Sequence, residues 1–181
     1  MRTFNLDEFY PIEPDHPRSF HRFMWDHLFS QVNVRRDDVH LPRGNAADPA
    51  EECGRYEAAI EDAGGLDLLL LGIGANGHIG FNEPGTPLDS TTHLVCLTDE
   101  TVAANARLFD RPEDVPRLAI TMGPKTIMRA RRLLLLAGGE AKATALAAAL
   151  EGPVTPEVPA SILQLHACAT VIADRAAASR L

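Results

Sequence analysis

Apolar residues along this chain fall into short unbroken runs, and helical patterns lie between them. "LDLLLLGI" (66–73) and "RRLLLLAG" (131–138) are apolar at successive positions and closed by glycine. That pattern predicts strands buried on both faces of a parallel sheet. "THLVCLT" (92–98) and "CATVIAD" (168–174) are shorter strand candidates. Helices are predicted over 17–30, 48–63, 99–109, 122–130 and 140–151. The second has Asp48 as a cap, Pro49 next, acids in its first turn and glycine after it, the signals of a helix start and stop. The last is alanine-rich and also followed by glycine. Strand-then-helix alternation predicts an α/β fold with a mainly parallel sheet. "RTFNLDE" (2–8) reads as the end of a strand running into a functional loop.

Length changes this picture little: 181 residues suit one domain, 1–181, with a substantial core. Charge narrows the partners. A net charge of −8 and a sequence pI near 5.3 argue against nucleic acid or an anionic membrane, but not against a small anionic substrate. Cys53, Cys96 and Cys168 form no CxxC pair, so neither a disulfide framework nor a zinc ribbon is expected, and the three read as small buried residues in a reducing compartment. The apolar runs are too short to span a bilayer and the N-terminus lacks a signal-peptide apolar region. The expectation is a cytoplasmic protein.

Chemistry concentrates in "GIGANGHIGFNEPG" (72–85). Gly72, Gly74 and Gly77 fit the G-x-G-x-x-G dinucleotide fingerprint, and Asp99 lies about 20 residues further on, near where a ribose-binding acid belongs. The fingerprint also needs a helix opening at its third glycine. Here Gly80, Pro84, Gly85 and Pro87 follow, which no regular helix accommodates. The alternative is a strand-end loop with chemistry of its own. It offers the amide of Asn76, the imidazole of His78 and the carboxylate of Glu83. A neutral His moves protons near pH 7, and a carboxylate beside it orients the ring. Residue types alone also fit a tight turn whose polar groups satisfy the backbone. One His and one Glu without a second His or Cys give no metal pattern.

Several stretches carry a family resemblance: "FNLDEF" (4–9), "GNAADPAEECGRYE" (44–57), "LLGIGANGHIGFNEPGTPLDSTTH" (70–93), "ANARLF" (104–109), "LAITMG" (118–123) and "PASILQLH" (159–166). Together they resemble the glucosamine-6-phosphate deaminase (glucosamine-6-phosphate isomerase) family over essentially the whole chain. The resemblance implies a Rossmann-like parallel-sheet three-layer sandwich. It also implies a reaction, D-glucosamine 6-phosphate plus water to D-fructose 6-phosphate plus ammonia, with no cofactor and no metal. Asp7 would be the base moving a proton between C2 and C1 of the open-chain sugar. His78, positioned by Asn76 and Glu83, would assist ring opening. Arg107 and Lys142 would bind phosphate, Gly74 and Gly77 would approach the substrate, and 98–118 would form a lid. His166 is expected to be structural. The alternatives are a 6-phosphogluconolactonase-like hydrolase and a non-catalytic sugar-phosphate binder. The resemblance leaves monomer and homo-oligomer open.

Two departures from the family pattern set further expectations. The family's first strand-helix units, with a Ser/Thr-Gly-Gly-Thr-Pro phosphate loop, do not precede Met1, so a truncated chain of weak activity is expected. Thr91, His93 and Val95 stand where allosterically regulated members carry basic residues, so an unregulated enzyme is expected.

Overall fold

A computed structural model describes residues 1–181. In chain order the elements are β1 (Thr3–Phe4), β2 (Asp7–Tyr10), α1 (Phe20–His27), β3 (Val39–His40), α2 (Pro49–Asp62), β4 (Leu69–Gly72), β5 (His93–Cys96), α3 (Asp99–Ala106), β6 (Leu118–Thr121), α4 (Pro124–Met128), β7 (Leu133–Ala137), α5 (Ala143–Glu151) and β8 (Ala169–Ala173), joined by short 3-10 turns. The fold is α/β with parallel sheets, and it contains an antiparallel sheet as well. The chain divides into two compact units, Met1–Ala63 with Thr92–Thr121, and Gly64–Thr91 with Met122–Leu181. No helix is long and apolar enough to cross a membrane.

In the first unit β2, β6 and β5 form an antiparallel sheet in that order, and β1 pairs in parallel with β3. Asp7 faces Thr121, which in turn faces His93. Two expectations change here. Asp7 belongs to a strand rather than to a loop after one. And 118–121, outside the strands predicted from the apolar runs, forms β6 between β2 and β5, so this sheet is antiparallel where a mainly parallel one is expected. The eight-residue α3 and the turns after it return the chain alongside β5, a reversal that strand-helix-strand order cannot distinguish from a crossover. The core of the unit is aromatic. Phe9, fully buried, meets Phe20 at 5.1 Å and Phe109 edge-on at 5.6 Å. Tyr56, equally buried, lies within hydrogen-bonding reach of the carbonyls of Asn5 (2.8 Å) and His40 (3.2 Å), which ties α2 to β3 and the chain just before β2. Asp48 caps α2 as expected, its Oδ1 accepting from the N–H groups of Ala50 and Glu51. Glu57 on α2 accepts from the backbone N–H and hydroxyl of Thr92 at 2.8 and 2.5 Å, fixing the start of β5.

In the second unit β4, β7 and β8 run parallel, with Leu70, Leu134 and Thr170 in one register row and Gly72, Leu136 and Ile172 in another. Leu69, Leu71, Leu133 and Leu135 are buried. Leu68, Leu70, Leu136 and Ile172 are exposed. The expectation of burial on both faces therefore holds for one face only, because an apolar run reports what a strand can bury and not what lies over it. A bare apolar face binds apolar dyes. We expect Leu70→Lys with Ile172→Lys to cut the fluorescence of an added hydrophobic dye several-fold. Stability should change by about 0.5 kcal/mol or less, as for other exposed sites; unchanged dye fluorescence counts against this.

Two smaller expectations have opposite outcomes. His166 is structural, its Nε2 2.8 Å from the carbonyl of Ala130 and its Nδ1 accepting from the Cys168 N–H. Of the cysteines only Cys53 is buried, while Cys96 and Cys168 are exposed. Cys96 lies on the outward-facing side of β5, where strand alternation turns it away from the core, and Cys168 lies just before β8 in an exposed stretch.

Candidate active site

Residues 73–92 leave the C-terminal end of β4 and contain no helix, so the phosphate-facing helix of a dinucleotide site is absent. The loop folds on itself instead. The N–H of Gly74 donates to the carbonyl of His78 at 2.9 Å, and that of Gly77 to Gly74 at 3.1 Å. Gly77 has φ of +87°, a conformation glycine takes without steric cost. Segment 155–160 holds the loop from outside: Ala160 N–H donates to Gly77, and Gly85 N–H donates to Pro156. From inside, the fully buried Asn82 donates through Nδ2 to the carbonyls of Ile79 and Met122 at 2.7 and 2.8 Å.

This frame brings together three residues singled out from the sequence. The Asn76 amide donates to Glu83 Oε2 at 3.0 Å, and its carbonyl accepts from the His78 N–H at 3.2 Å. His78 Nδ1 lies 3.6 Å from Glu83 Oε2. That is too long for a hydrogen bond, and Nδ1 is buried without a partner. A small rotation of the ring closes the gap, and catalytic hydrogen bonds commonly tighten only with substrate bound. Nδ1 is thus the ring nitrogen nearest Glu83. A Cβ on Gly74 would stand 2.3–2.5 Å from three atoms of the imidazole. The space that sequence reading gives to a ligand over Gly74 is filled by the His78 ring. The N–H groups of Gly74 and Gly77 are both engaged within the loop.

The remaining residues stand on other elements. Asp7 opens β2 and is half-buried. Burial, with the neighbouring Glu8 charge as a lesser cause, pushes its carboxyl up to about 7. A carboxylate that holds its proton to near neutrality is a competent base at working pH. Arg107 is the exposed residue ending α3, and Lys142 stands at the N-terminus of α5. The segment 98–118 is anchored by Val102, Phe109 and Val115, all buried. Sequence reasoning missed Glu8, buried next to Asp7, and Asn82, the loop's internal tie. Local spacing carries no signal for either, because the contacts that enclose them include Ser19, Phe20 and His21 for Glu8 and Met122 for Asn82.

The chain matches the family model described as glucosamine-6-phosphate isomerases/6-phosphogluconolactonase over residues 1–172. It is 55% identical to a protein named glucosamine-6-phosphate deaminase from Rhodopirellula baltica, over 99% of this chain and 71% of that one. It is 51% identical to one of the same name from Thermoanaerobacter pseudethanolicus, over 98% and 70%. Among solved structures it superposes with a TM-score of 0.97 on a monomeric glucosamine-6-phosphate deaminase at 46% identity, covering 99% of this chain and 75% of that one. A 6-phosphogluconolactonase from Trypanosoma brucei shares the fold at a TM-score of 0.75 and 20% identity, over 99% and 74%.

Proposed function

Since the chain belongs to the family of glucosamine-6-phosphate isomerases and 6-phosphogluconolactonases, we propose that it converts D-glucosamine 6-phosphate and water to D-fructose 6-phosphate and ammonia. The observation that carries this is the Asn76–His78–Glu83 cluster at the end of β4, in a chain about half identical to named deaminases over nearly its whole length.

Each role follows from chemistry. His78, oriented by Glu83 and Asn76, passes a proton to the ring oxygen as the C1 hydroxyl loses one, and the pyranose opens to the aldehyde. Asp7 takes the proton from C2 and returns it to C1. The C1 carbonyl becomes a hydroxyl and the amine at C2 an imine. Water adds to C2 and ammonia leaves, which balances the reaction without any redox step. Arg107 supplies a bidentate fork for the phosphate and Lys142 a point charge. The segment 98–118, carrying Arg107, closes as a lid and excludes water. A phosphorylated substrate supports a cytoplasmic location, and the likeness to a monomeric deaminase supports a monomer.

The lactonase reading has weaker support, since the solved lactonases share only the fold with this chain. Incubation with glucosamine 6-phosphate should release ammonia and fructose 6-phosphate in equal amounts, while 6-phosphogluconolactone is left at its spontaneous hydrolysis rate. Lactone hydrolysis without ammonia would reverse the assignment, and tight sugar-phosphate binding without any turnover would make the chain a binder.

A further inference from the structure

Strand alternation sends Asp7 and Glu8 to opposite faces of β2, and the face that receives Glu8 is closed. Glu8 is 1% exposed. Its Oε1 accepts from the N–H groups of Phe9 and Phe20 at 3.0 and 2.9 Å. Its Oε2 accepts from the Ser19 hydroxyl at 2.8 Å and the His21 N–H at 2.9 Å. Four donors on two oxygens leave no lone pair for a proton, so the geometry is that of a carboxylate. All four donors are neutral. Ser19 is itself fully buried and is the N-cap of α1, so Glu8 caps the helix from another element, against orphan N–H groups and the positive end of the helix dipole. A buried charge with no formal counter-charge among these partners is a costly way to hold a helix, and a neutral cap would serve the fold alone. The expense is explained by what lies one residue away.

We propose that Glu8, locked by Ser19 and the first turn of α1, is a positioning residue for Asp7: it pins β2 at the residue next to the base and sets a fixed negative charge beside it. The inference rests on the reading of Asp7 as the base. The other titratable groups about Asp7 are Tyr56, packed from α2, and His93, in register two strands away on β5. Both remain in place when Glu8 is changed. Glu8 acts on Asp7 in the direction that keeps its proton to higher pH, so loss of the charge makes the base available in more acid solution.

The test compares kcat, KM and the pH profile of kcat/KM for ammonia release in the full chain and in Glu8→Gln, Ser19→Ala and Asp7→Asn. The substrate's own phosphate ionisation is common to all profiles and cancels. Glu8→Gln should lower kcat about tenfold, leave KM within about twofold, and move the acid limb down by about one pH unit. Ser19→Ala keeps the charge and loosens the lock, so kcat should fall about threefold with the limb unmoved. If Glu8→Gln fails to fold, Ser19→Ala decides: an unchanged kcat overturns the proposal. An acid limb in Glu8→Gln that superposes on the parent's, with only thermal stability lost, reduces Glu8 to a helix cap and also overturns it. Full turnover by Asp7→Asn sinks the reading of the base and the inference with it. An inactive Asp7→Asn beside an unmoved Glu8→Gln profile sinks the inference alone.

Discussion

Asp7→Asn is expected to be more stable than the parent chain at pH 8 and almost without turnover. The two effects have one cause. The folded chain holds the Asp7 proton to about 7, whereas the ordinary value is 3.8. Above the lower value the unfolded chain binds fewer protons than the folded one, so rising pH favours unfolding. The stability this group contributes is complete below about pH 4 and is lost as pH rises through 7. Asparagine carries no charge to desolvate, so its advantage appears above pH 4 and levels off above 7. Each pKa unit corresponds to about 1.4 kcal/mol. Solvent reaches the half-buried side chain, so the gain is put at about 2 kcal/mol rather than the full difference. Loss of a general base costs about 10²- to 10⁴-fold in rate. Thermal unfolding at pH 5 and pH 8, together with ammonia release, checks both. A variant that is inactive and also less stable at pH 8 would mean that Asp7 serves the fold rather than the chemistry.

Gly74→Ala is the second large effect. The added methyl would meet the His78 imidazole at 2.3–2.5 Å, below any real contact, and the ring is the movable partner. It must leave the place over Gly74 that it now fills, 3.6 Å from Glu83. Misplacement by about 1 Å commonly costs about 10²-fold in rate, and that is the loss expected in kcat. The nearest atoms belong to a side chain that is partly exposed, so the fold should lose no more than about 1 kcal/mol. The acid limb set by Asp7 should not move. Ala at 74 with parental kcat would remove His78 from the mechanism.

The sequence made some of this legible because the signals were local. Asp48, Pro49 and the glycines after Ala63 marked α2 almost to the residue. The glycines, Asn76, His78 and Glu83 lay close enough along the chain that one loop had to hold them. Other features depended on segments that sequence order does not connect. β6 was not marked by the apolar runs, and its place between β2 and β5 follows from pairing with distant segments. Glu8 has no neighbour in sequence that marks it as buried; Ser19 and α1 close over it from eleven residues on. Gly74 read as room for a ligand, and the room was for the residue four positions on. The bare face of the β4–β7–β8 sheet could not be foreseen at all, since strand composition does not name the layer above it.

Each compact unit is stitched from two separate stretches, so the chain passes between the units three times. The thread has a consequence during synthesis. β2, bearing Asp7 and Glu8, leaves the ribosome before β5, but its only sheet partner, β6, is the last strand of its unit to be made. β4, β7 and β8 pair in the order in which they are made. The sheet of β2, β6 and β5 cannot zip up behind the ribosome in order of emergence. The residues offered as base and ring-opener are thus translated long before the strands that hold their elements. A nascent chain stalled before β6 would carry the whole "NLDE" and "GHIGFNEP" text without the strand that pairs with the first of them.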